Sequence, residues 1–154
     1  MEVVIPQNPE VWNGYFKHLG VTQTAAQAYG NSVTILEPFP CPAVDELTKH
    51  YRHNSQNAPW FQLWTFSQWL YLAEWMKQTK RDVVFKIDSD TLIFTYLRKL
   101  YRDYGSPEIT AWVPDIFITA SVAMEVSDYI VETFQKGLEL DRQKPGTHAS
   151  DQSI

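Results

Sequence analysis

A single cysteine, Cys41, stands in 154 residues, so no intrachain disulfide can staple this chain and an apolar core has to hold it. Basic residues are scarce as well. Thirteen Lys and Arg against 18 Asp and Glu leave a net charge of −5, which excludes the broad basic face of a general nucleic-acid binder. No apolar run is long enough to span a bilayer, and Met1 to Pro6 lacks the basic region and long apolar stretch of a signal peptide. The expectation is a soluble chain with no membrane segment, cytoplasmic as it stands. Repeats and low-complexity tracts are missing too. What remains is 44% hydrophobic and 14% aromatic sequence, the profile of a globular domain, at a length suited to one domain and not two.

The pattern along the chain is strand, helix, strand. Val3 to Ile5 reads as a short buried strand, and Asn8, Pro9 and Glu10 then supply a cap, a first-turn proline and a first-turn acid. Val11, Trp12, Tyr15, Phe16 and Leu19 recur at helical spacing. Gly20 is expected to interrupt this helix, which resumes from Thr24 to Tyr29 and closes at Gly30 and Asn31. Ser32 to Leu36 is the next strand. Such an order opens a doubly wound α/β domain.

Prolines crowd Glu37 to Pro42, so that segment reads as a connector, with a polar stretch after it. Pro59 to Thr79 reads as an aromatic helix, with Phe61, Trp64, Trp69, Leu72, Trp75 and Met76 spread around it for core packing. Leu97, Leu100, Tyr101 and Tyr104 predict a short amphipathic helix, ended by Gly105 to Pro107. Ile109 to Val113 and Ile116 to Thr119 read as strands around Pro114. Ser121 is expected to cap a last helix with Val122, Val126, Ile130 and Phe134 on its inner face. Residues 1–135 form the domain on this reading, and 136–154 a polar, disordered tail.

Chemistry concentrates in Asp82 to Phe94. A β-branched run there ends in Asp88, Ser89 and Asp90, and residues i and i+2 of an extended segment point the same way. Buried parallel strands present ligand sites at their carboxyl ends, so Asp88 and Asp90 can converge on one hard cation such as Mg or Mn. Two carboxylates leaving a buried strand repel each other unless something neutralises them, and a divalent metal carrying phosphate would do so. The plain alternative is a surface turn with solvated carboxylates. Gln7 and Asn8, at the end of the first strand, are placed for the same ligand.

Two enzyme classes put Asp-x-Asp at such a strand end. The haloacid-dehalogenase-like phosphatases continue with Gly-Thr, whereas Asp90 is followed directly by Thr91 and Leu92. The broader likeness is to GT-A glycosyltransferases. Tyr51, His53, Ser55 and Asn57, then the aromatic helix with Gln68 and Trp69, then Phe85 to Phe94 come in the order seen in some of those sequences. There the pattern is Tyr-x-His-x-Ser-x-Asn, a Phe-rich helix with Arg-Trp, and Leu-Asp-Ser-Asp-Val-Leu. Gln68 stands where they carry Arg.

The chain thus resembles a GT-A domain over residues 3 to 134, most closely over 51 to 94. The resemblance implies a three-layer α/β/α nucleotide-diphospho-sugar transferase-like fold with a mainly parallel sheet, incomplete at the C-terminus. It implies a metal-dependent glycosyltransferase moving a sugar from a nucleotide-diphosphate donor to a glycan, lipid or protein acceptor. Asp88 and Asp90 would hold Mn or Mg against the diphosphate, and His53, Asn57 and Ser89 would line the donor, with Gln7 and Asn8 added by their place at the end of the first strand. In this class the second acid more often meets the metal directly, and the first the ribose, or the metal through water. No residue is assigned as catalytic base, although Asp115 and Asp128 are available. A truncated, non-catalytic nucleotide-sugar-binding or interaction domain is the alternative.

Overall fold

The structure, a computed structural model, describes the backbone of residues 1–9, 16–53, 56–104 and 116–143. Among these the fold is α/β, with one four-stranded, mostly parallel sheet and five helices. The chain divides into two compact units, one of Met1–Pro38 with Thr79–Ser121, the other of Phe39–Gln78 with Val122–Ile154.

The first unit holds the sheet. Strand β1 (Glu2–Pro6) is its hydrophobic spine, with Val3, Val4 and Ile5 fully buried on both faces as befits a parallel strand. Strand β2 (Ser32–Leu36) pairs parallel with β1 from Glu2 opposite Ser32 to Pro6 opposite Leu36. A parallel pair needs a crossover, which helix α1 (Phe16–Ala28) supplies. Strand β3 (Val83–Lys86) lies parallel on the other side of β1, with Val3 opposite Phe85 and Val4 opposite Lys86. Strand β4 (Ile116–Thr119) closes the sheet antiparallel to β3. The order is β2-β1-β3-β4, so the three expected strands are neighbours and β3 is internal.

Alternation decides what each residue of β3 faces. Phe85 and Ile87 join Val3, Ile5, Ala26 of α1, Ile93 and Leu97 in one core, with Leu19, Leu100 and Phe117 at its margin. Helix α4 (Leu97–Tyr104) therefore packs by the face its spacing predicted. Gly20 does not interrupt α1, which runs through it without a break. A glycine inside a helix costs about 1 kcal/mol, too little to break one anchored by packing at Leu19 and Ala26. Gly30, with φ of 68°, does end the segment as expected, and Asn31 Nδ2 adds a 3.1 Å bond to the Ala26 carbonyl.

The second unit is helical among its described residues. Helix α2 (Pro42–His50) begins at the last residue of the segment read as connector and fills the stretch after it, where no element was expected, with proline at its first turn, Asp45 near its N-terminus and Lys49 and His50 in its last turn. Helix α3 (Pro59–Thr79) has the expected bounds and buries Trp64, Phe66, Leu70, Leu72, Ala73 and Met76. Helix α5 (Ala120–Gln143) sets Ile130 and Phe134 against Cys41, Leu47, Phe66 and Leu70. It continues through Gln143, so residues 136–143 are helical where a disordered tail was expected. The expected helix start at Glu10 to Tyr15, the strand at Ile109 to Val113, Gly105 to Pro107, Ser55, Asp115 and residues 144–154 lie outside the described residues.

Candidate functional site

The sheet order β2-β1-β3-β4 sets where the connections diverge. From β1 the chain crosses to β2 on one side, and β3 lies on the other, so the carboxyl ends of β1 and β3 flank the point where connections diverge. Open α/β sheets bind ligands in the crevice outside that point. Gln7 and Asn8 leave β1 there, and Asp88, Ser89 and Asp90 leave β3 there. With Val4 opposite Lys86, two further steps along each strand bring Pro6 and Asp88. Gln7 is buried and its N–H extends the ladder to the Leu36 carbonyl at 2.8 Å, while Asn8 is partly exposed.

The acidic segment is a tight turn held at both ends. Ile87 donates its N–H to the Val4 carbonyl at 3.1 Å, and Thr91 closes the turn onto the Asp88 carbonyl at 3.2 Å. Ile87 and Ile93 sit in the same core on either side of it, fixing where the chain leaves and re-enters. A third tie comes from α1: the Thr22 hydroxyl donates to the Ser89 carbonyl at 2.6 Å, with Thr22 fully buried. Asp90 is exposed, and Asp88 keeps 44% of its side chain accessible. Asp88 thus follows the strand closely while Asp90 lies on the turn, so the two acids do not continue one extended segment as the sequence reading expected.

Neither Thr22 nor Lys86 stands out in the sequence as a site residue. Lys86 is 1% exposed in a central strand, and its Nζ lies 3.2 Å from Asp88 Oδ1. Both project to one face because they are two residues apart on an extended segment. Part of the neutralisation that the acidic pair requires therefore comes from the protein itself. The signal was present, since a lysine inside Val83 to Ile87 at even spacing from Asp88 breaks an otherwise apolar run. Thr22 carried no comparable signal, its partner being 67 residues away.

His53 and Asn57 belong to the second unit, where both are exposed. The Tyr51 hydroxyl lies 3.0 Å from His53 Nδ1 and 3.0 Å from Oε1 of buried Gln62, which tethers the His53 ring. Asp128 is an exposed residue of α5.

Among the described residues no group of three or more His, Cys, Asp and Glu gathers as a metal cage. Asp88 and Asp90 are nonetheless a suitable hard-oxygen set for an ion that arrives with phosphate, because Mg-type sites use one or two carboxylates plus phosphate oxygens and water. No described helix is long and apolar enough to cross a membrane. No protein-family model matches the chain, and neither a curated protein nor a solved structure matches it.

Proposed function

We propose that this chain is a GT-A-type domain, three-layered in architecture, that binds a nucleotide-diphosphate sugar with Mn or Mg and transfers the sugar to a glycan, lipid or protein acceptor. One observation carries the reading: an Asp-Ser-Asp turn leaves an internal parallel strand at the divergence point of the sheet. The likeness of Tyr51 to Asn57 and Phe85 to Phe94 to GT-A sequences adds the substrate class.

In this reading Asp90, the more exposed acid, ligates the ion directly. Asp88, held by Lys86, meets the ribose, or the ion through water. Held by these carboxylates, Mn or Mg would supply Lewis-acid stabilisation of the charge on the departing diphosphate. Ser89 contributes its backbone at the apex of the turn, and Thr22 keeps that backbone in place. Gln7 and Asn8 supply amide groups from the neighbouring strand end.

A thermal-shift panel of UDP, GDP, ADP and their sugars, with and without Mn, tests this. A ligand at a hundredfold excess over Kd adds about 2.7 kcal/mol, which raises Tm by roughly 5 to 10 °C in a chain of this size. Asp88→Ala with Asp90→Ala should abolish the Mn-dependent shift and should also lower the unliganded Tm, because Asp88 is the ion-pair partner of buried Lys86; Asp90→Ala alone should weaken the shift with the unliganded Tm nearly unchanged. An undiminished shift in that double variant would sink the metal role. Release of phosphate from simple monoesters without any nucleotide-sugar binding would point to the phosphatase class instead.

A further inference from the structure

We propose that one outer surface of the sheet-bearing unit docks on an anionic lipid bilayer, with Leu92, Phe94 and Tyr96 entering the interface and Arg98, Lys99 and Arg102 meeting the headgroups. Attachment of this kind is peripheral and needs no membrane-spanning helix. Such docking does not depend on the nucleotide-sugar reading above.

Helix α1, residues 91–96 and helix α4 form one layer over one face of the sheet. Leu19 and Ala26 of α1, Ile93 of the segment, and Leu97 and Leu100 of α4 share a core with Val3, Ile5, Phe85 and Ile87. Two contacts lay the segment beside α1. The Thr22 hydroxyl bonds the Ser89 carbonyl, and the rings of Tyr29 and Tyr96 meet edge to face with centroids 5.5 Å apart. What this layer turns away from the sheet is therefore a single surface.

That surface carries apolar side chains in a row. Ile93 and Leu97 are buried, while Leu92, Phe94 and Tyr96 are 44%, 68% and 61% exposed, and Val21 of α1 is exposed as well. Single exposed apolar residues occur on any protein, but four on two adjoining segments make a patch suited to an apolar partner.

Charge identifies that partner. Acids outnumber bases by 18 to 13 in the whole chain, yet α1 and residues 91–102 contain no Asp or Glu. In α4, Leu97 and Leu100 face the core and the Tyr101 ring lies on Phe117 at 5.3 Å, which leaves Arg98, Lys99 and Arg102 exposed on the outer side. Asp103, 3.1 Å from Arg102, offsets one of the three. Apolar and aromatic side chains bordered by cations match the two zones of an anionic membrane surface, acyl boundary and headgroups. A neutral glycan would leave the cations unused. A second copy on a two-fold axis would set the same cations against each other.

The full-length chain is sedimented with phosphatidylcholine vesicles, with and without phosphatidylserine, at low and high salt. Binding should require phosphatidylserine and weaken in high salt. Arg98→Gln with Lys99→Gln should lower the partition coefficient roughly 30-fold, about fivefold for each cation removed. Phe94→Ser should lower it about 10-fold, for a phenylalanine half buried in the interface. Both variants change exposed side chains only and should melt with the parent. Lys77→Gln with Lys136→Gln, at two exposed lysines of the other unit, makes the same change in net charge and should leave binding within about twofold.

A parent chain that stays in solution with phosphatidylserine vesicles overturns the proposal. So does undiminished binding by either variant, or an equal loss in the Lys77, Lys136 control. A dimer that Phe94→Ser dissolves, in a chain that binds no vesicles, would give the surface to a second copy instead. Failure of nucleotide-sugar binding in the same chain leaves the vesicle result untouched.

Discussion

Thr22→Val exchanges a hydroxyl for a methyl of nearly equal volume, so its effect isolates the 2.6 Å bond from Thr22 Oγ1 to the Ser89 carbonyl. Thr22 is 0% exposed, and no bulk water stands ready to replace the lost donor. A neutral hydrogen bond is worth about 1 kcal/mol net, and a stranded acceptor raises the loss to about 1–2 kcal/mol. For a chain of this length that lowers Tm by roughly 2 to 8 °C. The fall in Tm alone would not separate this tie from ordinary core damage, so Thr22→Ser is the necessary partner. It keeps the hydroxyl and deletes one buried methyl, also about 1 kcal/mol. The two variants should therefore melt within a few degrees of each other and differ only at the turn. Amide exchange of Thr91, whose N–H closes the turn onto Asp88, should speed up roughly 5- to 30-fold in the valine variant, the factor that corresponds to 1–2 kcal/mol. The serine variant should leave it near the parent rate and keep Mn-dependent nucleotide binding. Equal exchange at Thr91 in both variants would refute the idea that α1 holds the carboxylates in place.

The strands were legible because β-branched runs with abrupt polar ends leave few alternatives, and β1, β2 and β3 are neighbours as expected. Helix α3 was equally plain, its proline start and long aromatic periodicity giving both bounds. Helix α2 was missed because three prolines in Glu37 to Pro42 suggest coil. The last of them stands where a helix tolerates it, and Asp45 with Lys49 and His50 already matched the helix dipole. The length of α5 past residue 135 was missed for another reason. Polar composition signals exposure as readily as disorder, and i to i+4 pairs such as Glu132 with Lys136 at 3.0 Å support an exposed helical face. At the site, Asp88 and Asp90 were readable from their position after an apolar run. Lys86 was overlooked because the repulsion between those acids was assigned wholly to an external cation. Thr22 was beyond reach, since nothing local in a helix records which distant carbonyl its hydroxyl meets.

Three further tests concern the packing and helix ends of the two units. Burial pushes the Cys41 thiol above its ordinary pKa, and Cys41 is only 3% exposed, so a thiol reagent should label it at the rate of unfolding; fast labelling of the native chain would contradict that burial. Hydrogen bonds from Lys49, His50 and Gln135 hold the Glu46 carboxyl at about 2, below its ordinary 4.5. A depressed carboxylate stabilises above its unfolded pKa and loses that contribution as pH falls through the folded one, so Glu46→Gln should flatten the Tm–pH curve between 4.5 and 2. The flattening should weaken in high salt, because the pair with Lys49 is solvent-exposed. The last test compares two residues in the left-handed region just beyond a helix end, Gly30 at φ 68° after α1 and Lys80 at φ 53° after α3. A Cβ built on Gly30 meets nothing within 4 Å, so Gly30→Ala should lose about 1 kcal/mol from backbone strain alone. Lys80 already bears that strain, and Lys80→Gly should recover roughly 0.5–1 kcal/mol despite the greater freedom glycine gives the unfolded chain. Opposite signs of similar size in a urea titration are the expected result. A loss of stability in Lys80→Gly would mean that the lysine side chain makes a contact worth more than the strain it imposes.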